Sequence, residues 1–363
     1  REGHGLRGGR ARWLAVLAAT LGLALRTDDA MNDALLGFWR GRRVCITGAC
    51  GFVGSNLTRA LLDRGAEPIG IDRASSSPSL RALCGVTHPR VIAADVTNLG
   101  QMMKAIESLR PDVVYHLAGL GHISDCQAAP FQAFAVNAMG TVAVLEAIRR
   151  AAPGAAVVCA SSNTVYLSGT RGGDWRHTES DRLQAIDAYG SSKIAADLAV
   201  RCYRESYGLR AAALRHVNSY GPADPHESHL VTGAILACLD GKRPTLRSDG
   251  SALKGYLHVC DVVEAYLLVA ERVDTLPGHA VNVADREAEA SAEAVARLVM
   301  RAAGMAGDPE VLGEDLSQSG YEERLDATIL RDLGWAPHHG LAGGIAATYR
   351  WYRQHGGRAW LAS

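Results

Sequence analysis

Tyr189 and Lys193 are the residues whose types and spacing most directly suggest chemistry. They belong to the segment Tyr189-Gly-Ser-Ser-Lys193, which lies inside a helical pattern, and a spacing of four places both side chains on one helix face. A tyrosine with a pKa near 10 is mostly protonated at neutral pH, but an adjacent lysine cation favours the phenolate. The pair predicts a base that takes a proton from a substrate hydroxyl. A solvated helix with the same spacing is the alternative.

Ser162 is the candidate for a hydrogen bond to the reacting oxygen. It follows a predicted strand at 156–160, in the segment Ala160-Ser161-Ser162-Asn163-Thr164-Val165-Tyr166. The carboxyl edge of a parallel sheet is where open α/β folds bind ligands, so these hydroxyls stand at a favourable place. An ordinary serine-rich strand exit is the alternative interpretation.

Short β-branched runs alternate with longer helical patterns from residue 43 onward. This rhythm is typical of a parallel sheet covered by helices on both faces. Strands are predicted at 43–47, 68–71, 91–94, 113–117, 156–160 and 210–214, and helices at 55–64, 99–109, 130–150 and 188–207. We therefore expect an α/β fold with a doubly wound sheet over residues 41–217. The alternation fades after residue 217, which predicts a smaller mixed α/β C-terminal lobe for the substrate at 218–355.

The segment between the first strand and the first helix is rich in glycine. It reads Gly48-Ala-Cys-Gly51-Phe52-Val53-Gly54. The first glycine permits a tight turn, the second lets the backbone approach a pyrophosphate, and the third allows close packing of helix on strand. The helix N-terminus faces the phosphate charge. This arrangement predicts a dinucleotide site on a Rossmann sheet, with a structural turn as the alternative.

Asp72 favours NAD over NADP as the dinucleotide. It ends the second strand 18 residues after Gly54, close to the spacing of about 20 expected for an acid that binds the adenosine ribose hydroxyls. Its charge would repel a 2′-phosphate, although the neighbouring Arg73 keeps NADP open. Asp95 and Val96 follow the third strand and are placed to meet the adenine; a helix cap is the alternative for Asp95.

The composition limits the classes of partner. Lys plus Arg equals Asp plus Glu at 38 each, so no net positive field attracts nucleic acid or an anionic membrane, and we expect a small-molecule substrate. The eight cysteines lie scattered in apolar segments without metal-binding spacing. We interpret them as buried thiols of a cytoplasmic protein and expect no metal.

Residues 1–30 resemble a secretory signal in outline, with Arg7, Arg10 and Arg12 before an apolar run at 13–25. The run is shorter than the roughly 20 residues needed to span a bilayer. No clear cleavage site follows it, and Met31 fits a natural start. We expect these residues to be an N-terminal extension outside the fold.

These motifs together resemble the extended short-chain dehydrogenase/reductase family, which includes sugar-nucleotide epimerases and 4,6-dehydratases. The resemblance covers roughly residues 38–355, and residues 37–42 resemble the start of CDP-glucose 4,6-dehydratases. Its motifs, beyond the residues above, are His116-Leu117-Ala118-Gly119, Asn137-Ala-Met-Gly140-Thr141, Arg215-His-Val-Asn218-Ser-Tyr-Gly-Pro222 and Tyr256-Leu-His-Val-Cys-Asp261. The resemblance implies that Leu117, Ala118, Gly119 and Asn137 line the cofactor. It also implies that Asn218 touches the sugar or its phosphate and that Lys254 faces the diphosphate.

Departures from the family pattern bear on the reaction. Dehydratases of the family usually carry an Asp and then a Glu or Lys after the catalytic Ser or Thr, where this chain has Asn163 and Thr164. Neither is a strong acid or base. The usual Arg-Asp before the Tyr-x-His-Val motif is Lys254-Gly255, which replaces a bidentate phosphate contact by a point charge. His122 matches the dehydratases and is either a substrate-binding or a packed structural residue.

The favoured hypothesis is an NAD-dependent nucleotide-sugar epimerase. Tyr189 would deprotonate the C4 hydroxyl, and the resulting 4-keto sugar would turn before hydride returns. A 4,6-dehydratase with its acid and base elsewhere, a 4-ketoreductase using NADPH, and a nucleotide-binding protein without turnover are the alternatives. The helical stretches 130–150 and 188–207 suit the helix pairing by which this family forms homodimers.

Overall fold

A central parallel sheet organises the chain. The computed structural model describes residues 37–85, 89–166, 174–314 and 322–362, so residues 1–30 lie outside the described part. The strands are β1 (Arg43–Thr47), β2 (Glu67–Asp72), β3 (Val91–Ala93), β4 (Val113–His116), β5 (Ala156–Ala160), β6 (Ala211–His216), β7 (Asn218–Tyr220), β8 (Thr245–Leu246), β9 (Leu253–His258), β10 (Ala280–Val283), β11 (Glu289–Ser291), β12 (Glu310–Val311) and β13 (Glu322–Glu323). Seven of them form one parallel sheet in the order β10-β6-β5-β4-β1-β2-β3.

This order confirms the doubly wound Rossmann-like fold. The chain moves outward from β1 to β3 on one side and from β4 outward on the other, so strand order reverses between β1 and β4. Ligands of open α/β sheets bind at the carboxyl edge beside such a reversal. The central strands are almost completely buried, which explains their continuous Val, Ile and Ala composition.

Helices cover both faces of this sheet. Apart from 3₁₀ segments, the helices of four or more residues are α1 (Phe52–Asp63), α2 (Pro78–Cys84), α3 (Leu99–Leu109), α4 (Ile123–Ala128), α5 (Pro130–Ala151), α6 (Ala188–Tyr207), α7 (Leu230–Leu239), α8 (Val259–Glu271), α9 (Ala292–Ala303), α10 (Thr328–Asp332) and α11 (Leu341–Gln354). The predicted bounds of α3 and α6 are confirmed. The predicted start of α1 at residue 55 is three residues late, because Gly51 already has the extended backbone of a helix N-cap.

Helix α5 is not uniform. Residues Phe134–Met139 form a π-helical segment between two α-helical parts. Such bulges occur mainly at functional sites, and this one carries Asn137. By length and composition alone, α5 is apolar enough to cross a membrane, but 56% of its most apolar window is buried within the fold. A core helix of a sheet protein has the same property.

The seventh strand is a correction to the sequence analysis, which expected six. β10 pairs in parallel with β6, although its residues lie in the region assigned to the substrate lobe. A four-residue strand after the turn at Pro277-Gly278 is too short to show a pattern of its own. Helix α8 likewise packs into the hydrophobic cluster that contains Val44, Ile46 and Leu57. The division near residue 217 stays a prediction, since residues on both sides of it share one core.

The C-terminal part contributes a second, mixed sheet. Its strands follow the order β11-β9-β13, and β7 also pairs with β9. β11 runs antiparallel to β9, whereas β13 and β7 run parallel to it. This sheet agrees with the mixed α/β character expected after residue 217.

All eight cysteines are free thiols, but Cys202 is exposed, which corrects the expectation that every thiol is buried.

Candidate functional site

The glycine loop has the close contacts that the sequence predicts. Gly48 has a φ of +74°, and an added Cβ would lie 2.7 Å from the backbone nitrogen of Ala118. A Cβ on Gly54 would overlap the carbonyl oxygen of Gly48. Gly51 is exposed at the N-terminus of α1, so its backbone is open to a ligand. The loop therefore fits a dinucleotide pyrophosphate, because side chains are excluded at each point of close approach.

Asp72 reaches the same loop from the end of β2. One carboxylate oxygen accepts a hydrogen bond from the backbone N–H of Cys50 at 3.0 Å, and the other accepts from the N–H of Arg73 at 2.7 Å. These two contacts fix the carboxylate beside the glycine loop. Because it remains partly exposed, it can still accept hydrogen bonds from ribose hydroxyls.

The contacts of Asp95 and Val96 in the structure are with other residues of the protein. Asp95 accepts hydrogen bonds from the backbone N–H and the hydroxyl of Thr97, and these bonds lower the pKa of its carboxyl group. The cap of helix α3 is Asn98. Val96 is buried and packs against Gly140 of α5. A role of both residues at the adenine stays a prediction.

A buried polar chain lies under the cofactor loop. The ring of His116 contacts the hydroxyl of Thr47 at 2.7 Å and that of Thr141 at 3.0 Å, and the Thr47 hydroxyl also accepts from the Ala118 N–H. Burial lowers the pKa of His116 to about 3, so the ring is neutral. This row of hydrogen-bonded side chains connects the ends of β1 and β4 to helix α5.

Asn137 fixes the segment after β4. Its side-chain oxygen accepts from the Leu120 N–H at 2.8 Å, and its amide donates to the Leu120 carbonyl and the Ser192 hydroxyl. Gly119 is exposed here, and a Cβ on it would lie 2.8 Å from the Asn137 oxygen. Residues 117–119 therefore lie at the carboxyl edge of the sheet, beside the reversal of strand order between β1 and β4. The resemblance places the cofactor there.

Lys193 and Ser162 both lie at the end of β5. The Lys193 ammonium donates to the Ala160 carbonyl at 3.0 Å and is 6% exposed. Burial lowers the pKa of Lys193 to about 8. The Ser162 oxygen accepts from both the backbone N–H and the hydroxyl of Thr164, so its single hydrogen is left for a further partner.

The pKa of Tyr189 differs from the sequence-based expectation. Burial raises it, and a hydrogen bond with Ser162 acts in the opposite direction. The carboxylates of Asp187 and Glu323 and, at the alkaline pH where it ionises, the thiolate of Cys126 add to this increase in the pKa of Tyr189. The expectation of a favoured phenolate counted the lysine charge and neglected desolvation. Ser162 is therefore the group within the protein that favours the phenolate.

Glu323 is the functional candidate that the sequence did not indicate. This carboxylate on β13 is 7% exposed, accepts a hydrogen bond from the Asn163 side-chain amide, and lies 3.7 Å from the Lys254 ammonium. It joins the Ser162 segment to the second sheet, where Asn218 donates to the Gly255 carbonyl at 3.2 Å. Contacts of Lys254 and Asn218 with a substrate diphosphate or sugar stay predictions.

His122 lies in a cluster with two histidines of the segment that precedes α7. Its ring stacks on that of His229 with 4.7 Å between centroids and meets His226 edge-on at 4.4 Å. Asp224 accepts from the His229 ring at 2.7 Å. Burial and the neighbouring His229 lower the pKa of His122. The structure thus shows a packing role for His122, while its role towards substrate stays a prediction.

Another polar cluster lies in the C-terminal part. Ligand-type atoms of His258, Asp261 and His339 lie within 4.8 Å of one another. The Asp261 carboxylate already accepts from the His339 ring and from the backbone N–H groups of His338 and His339. The His258 and His339 rings stack 22° from parallel, so their in-plane lone pairs do not converge. We interpret the cluster as a structural fastening of the segment before α11.

A buried ion pair holds the helix that carries Tyr189 and Lys193. Arg215 of β6 forms two hydrogen bonds with Asp197 of α6, at 2.9 and 2.7 Å, and both side chains are almost completely buried. Asp197 also accepts from Ser161 at 2.8 Å and contacts the His279 ring at 2.9 Å. Asp197 lies four residues after Lys193, so the pair fixes the face of α6 that bears the lysine.

The geometry thus combines a dinucleotide loop with Ser162, Tyr189 and Lys193 at one sheet edge. The sequence profile described as "NAD dependent epimerase/dehydratase family" matches residues 44–284, about two thirds of the chain. The chain belongs to this family. The family is NAD-dependent, and the cofactor of this family member is NAD.

Relatives of both activities are equally similar in sequence. UDP-glucose 4-epimerase of Mycolicibacterium smegmatis is 32% identical over 321 residues, which cover 86% of this chain and 98% of that protein. dTDP-glucose 4,6-dehydratase of Streptomyces griseus is 32% identical over 326 residues, which cover 87% and 94%. This family member is thus of the epimerase and dehydratase type, and sequence identity does not separate the two.

Solved structures of an epimerase and of a dehydratase are likewise about equally similar to this chain. UDP-glucose 4-epimerase of Thermus thermophilus, in complex with NAD, is 29% identical with a TM-score of 0.74 and covers 86% of this chain and 99% of its own. The dTDP-glucose 4,6-dehydratase DesIV of Streptomyces venezuelae, with NAD bound, is 27% identical with a TM-score of 0.75 and covers 88% and 98%. The Rossmann-like fold and the NAD site are therefore shared with both.

Proposed function

We propose that this family member is an NAD-dependent nucleotide-sugar epimerase that acts through a 4-keto intermediate. Bound NAD supplies the acceptor and donor of the sugar hydride. The protein supplies Tyr189 as the base for the C4 hydroxyl, Ser162 as the hydrogen-bond donor to the reacting oxygen, and Lys193 as a cation on the same helix face. After the sugar turns in the site, Tyr189 returns the proton to the C4 oxygen.

The residues that follow Ser162 carry the preference for epimerisation. Loss of water between C5 and C6 needs an acid and a base at the sugar, and neither the amide of Asn163 nor the hydroxyl of Thr164 titrates near neutral pH. Asn163 is buried, and its side-chain amide donates a hydrogen bond to Glu323. These contacts keep the amide at the position after Ser162. An epimerase needs no groups beyond those of the C4 step.

A nucleotide-sugar 4,6-dehydratase is the second candidate, because one observation favours it. The carboxylate of Glu323 lies against the Asn163 amide, next to the position where family dehydratases carry their acid. In that reaction a base takes the C5 proton, an acid protonates the C6 hydroxyl as it leaves as water, and the hydride returns to C6. The product then contains a C6 methyl group.

A panel of UDP-, GDP-, CDP- and dTDP-sugars, with NMR of the products, tests the proposal. We expect an equilibrium mixture of C4 epimers without a new methyl signal, and Tyr189→Phe is expected to lower the rate by about 10²–10⁴-fold. The control is Tyr207→Phe on the same helix, whose side chain is 56% exposed. A methyl product would establish the dehydratase, and full activity of Tyr189→Phe would exclude both candidates.

We also propose that this family member forms a homodimer through α5 and α6. Phe131 is 85% exposed and Met139 60% exposed on α5, and Leu198 is 48% exposed on α6, a helix that packs against α5. Exposed side chains of this size on adjoining helices suit a second copy of the chain. Light scattering is expected to show a dimer for the wild type and a monomer for Phe131→Glu.

The eight free thiols fit the cytoplasmic location that we propose.

A further inference from the structure

Glu323 stands at the centre of a hydrogen-bonded chain that ends at Tyr189. One of its oxygens accepts from the Asn163 side-chain amide, and the other lies 3.7 Å from the Lys254 ammonium. A carboxylate can only accept hydrogen bonds, so Asn163 must turn its NH₂ group towards Glu323. The Asn163 oxygen is thereby left facing Ser162, whose hydroxyl donates to it at 3.3 Å.

The hydrogen-bonding capacity of the Ser162 hydroxyl is almost fully used within the protein. Its oxygen already accepts two hydrogen bonds from Thr164, so before a substrate binds its single hydrogen goes either to the Asn163 oxygen or to Tyr189. The Asn163 oxygen therefore competes with Tyr189 for the same hydrogen. The orientation of the Asn163 amide decides whether that competition exists.

We propose that Glu323 is a positioning residue for the C4 step: its carboxylate fixes the orientation of the Asn163 amide and thereby controls which neighbour receives the Ser162 hydrogen. The role applies to both candidate reactions, because both begin with oxidation at C4. It rests on the proposed function of Tyr189 as the base.

Several charged or titratable groups surround this chain. Asp187 and Cys126 face Tyr189 together with Glu323, and Lys193 lies on the same helix. Lys254 and Tyr256 of β9 face Glu323, whose charge adds to the burial that raises the pKa of Tyr256. Of these groups, Glu323 is the one that hydrogen-bonds to Asn163 among the described residues.

Glu323→Gln provides an isosteric test. The glutamine oxygen would turn to the Lys254 ammonium, so its NH₂ would face Asn163 and the asparagine amide would have to flip. The flipped amide would no longer present its oxygen to Ser162, so the Ser162 hydrogen would lose its competing acceptor and become available to the Tyr189 phenolate. The pKa of Tyr189 is therefore expected to fall by about one unit, as for one gained hydrogen bond.

The measurement is an ultraviolet titration of tyrosinate in the full chain saturated with NAD. Each variant is read against the same variant carrying Tyr189→Phe, so the difference reports Tyr189 alone. The titration needs no turnover, so it remains informative if the sugar-nucleotide panel shows no activity. Thermal melting checks that each variant is folded.

Asn163→Ala separates the relay from a direct effect of charge. The relay requires the shift caused by Glu323→Gln to disappear when Asn163 is alanine, or serine where the alanine variant does not fold. A shift that persists without Asn163 would mean that the Glu323 charge acts directly on Tyr189, and it would overturn the relay. No shift in either background would show that Glu323 has only a structural role, which also overturns it.

Discussion

Replacement of Asp197 by asparagine tests how α6 is held. The variant leaves the Arg215 guanidinium, which is 1% exposed, without a carboxylate partner. Breaking a buried ion pair by removing one member costs about 3–5 kcal/mol, because the remaining charge is uncompensated. Folded proteins have an unfolding entropy of about 2.1 cal/mol/K per residue, so for 363 residues this loss corresponds to a fall in Tm of roughly 4–7 °C.

The exposed pair of Arg201 and Glu205 on the same helix is the matched control. Their side chains are 55% and 54% exposed at 3.0 Å separation, so Arg201→Ala is expected to cost less than about 1 kcal/mol. Reversible urea unfolding at pH 7 gives the free energy of unfolding for both variants. The double variant Asp197→Leu, Arg215→Met should be more stable than Asp197→Asn, because neither charge is then buried.

The pH dependence of the same pair has a definite sign. Arg215, His279 and Ser161 hold the pKa of Asp197 below its usual range against the opposing effect of burial. The stabilisation is therefore complete above the unfolded pKa of about 4 and is lost as the pH falls below it. The difference between wild type and Asp197→Asn should shrink with acidification below about pH 4. A loss in Asp197→Asn no larger than that of the Arg201 control would refute the reasoning.

Three further outcomes follow from the cofactor and catalytic residues. Because burial lowers the pKa of Lys193 to about 8, its cation is lost above that pH; kcat/KM should fall there, and a profile that stays flat well above pH 8 would contradict a cationic role. Gly54→Ala should weaken NAD binding by about tenfold or more in calorimetry, since its Cβ overlaps Gly48, whereas Gly278→Ala, which has open space, should not. Asp72→Ser should reduce the preference for NAD over NADP, because the carboxylate no longer repels a 2′-phosphate; unchanged relative affinities would argue against that role.

The sequence by itself determined the features that depend on neighbouring residues. The glycines at 48, 51 and 54 lie within one turn between β1 and α1, and their role follows from local backbone geometry. Tyr189 and Lys193 share a face because helix α6 repeats every 3.6 residues. The six strands in the N-terminal part were also predictable, because each contains a short run of mainly apolar residues that alternates along the chain with a helical pattern.

Only the tertiary structure decided the features that join distant segments. β10 enters the main sheet because β6 leaves an open parallel edge, which no property of four residues reveals. Glu323 reaches Asn163 across 160 positions of the chain, and Arg215 reaches Asp197 from another element. A buried charge is stable only beside its partner, and the partner is chosen by packing. The sequence could therefore predict Tyr189 as the candidate base, but the hydrogen-bonding environment of Tyr189 is a property of the folded chain.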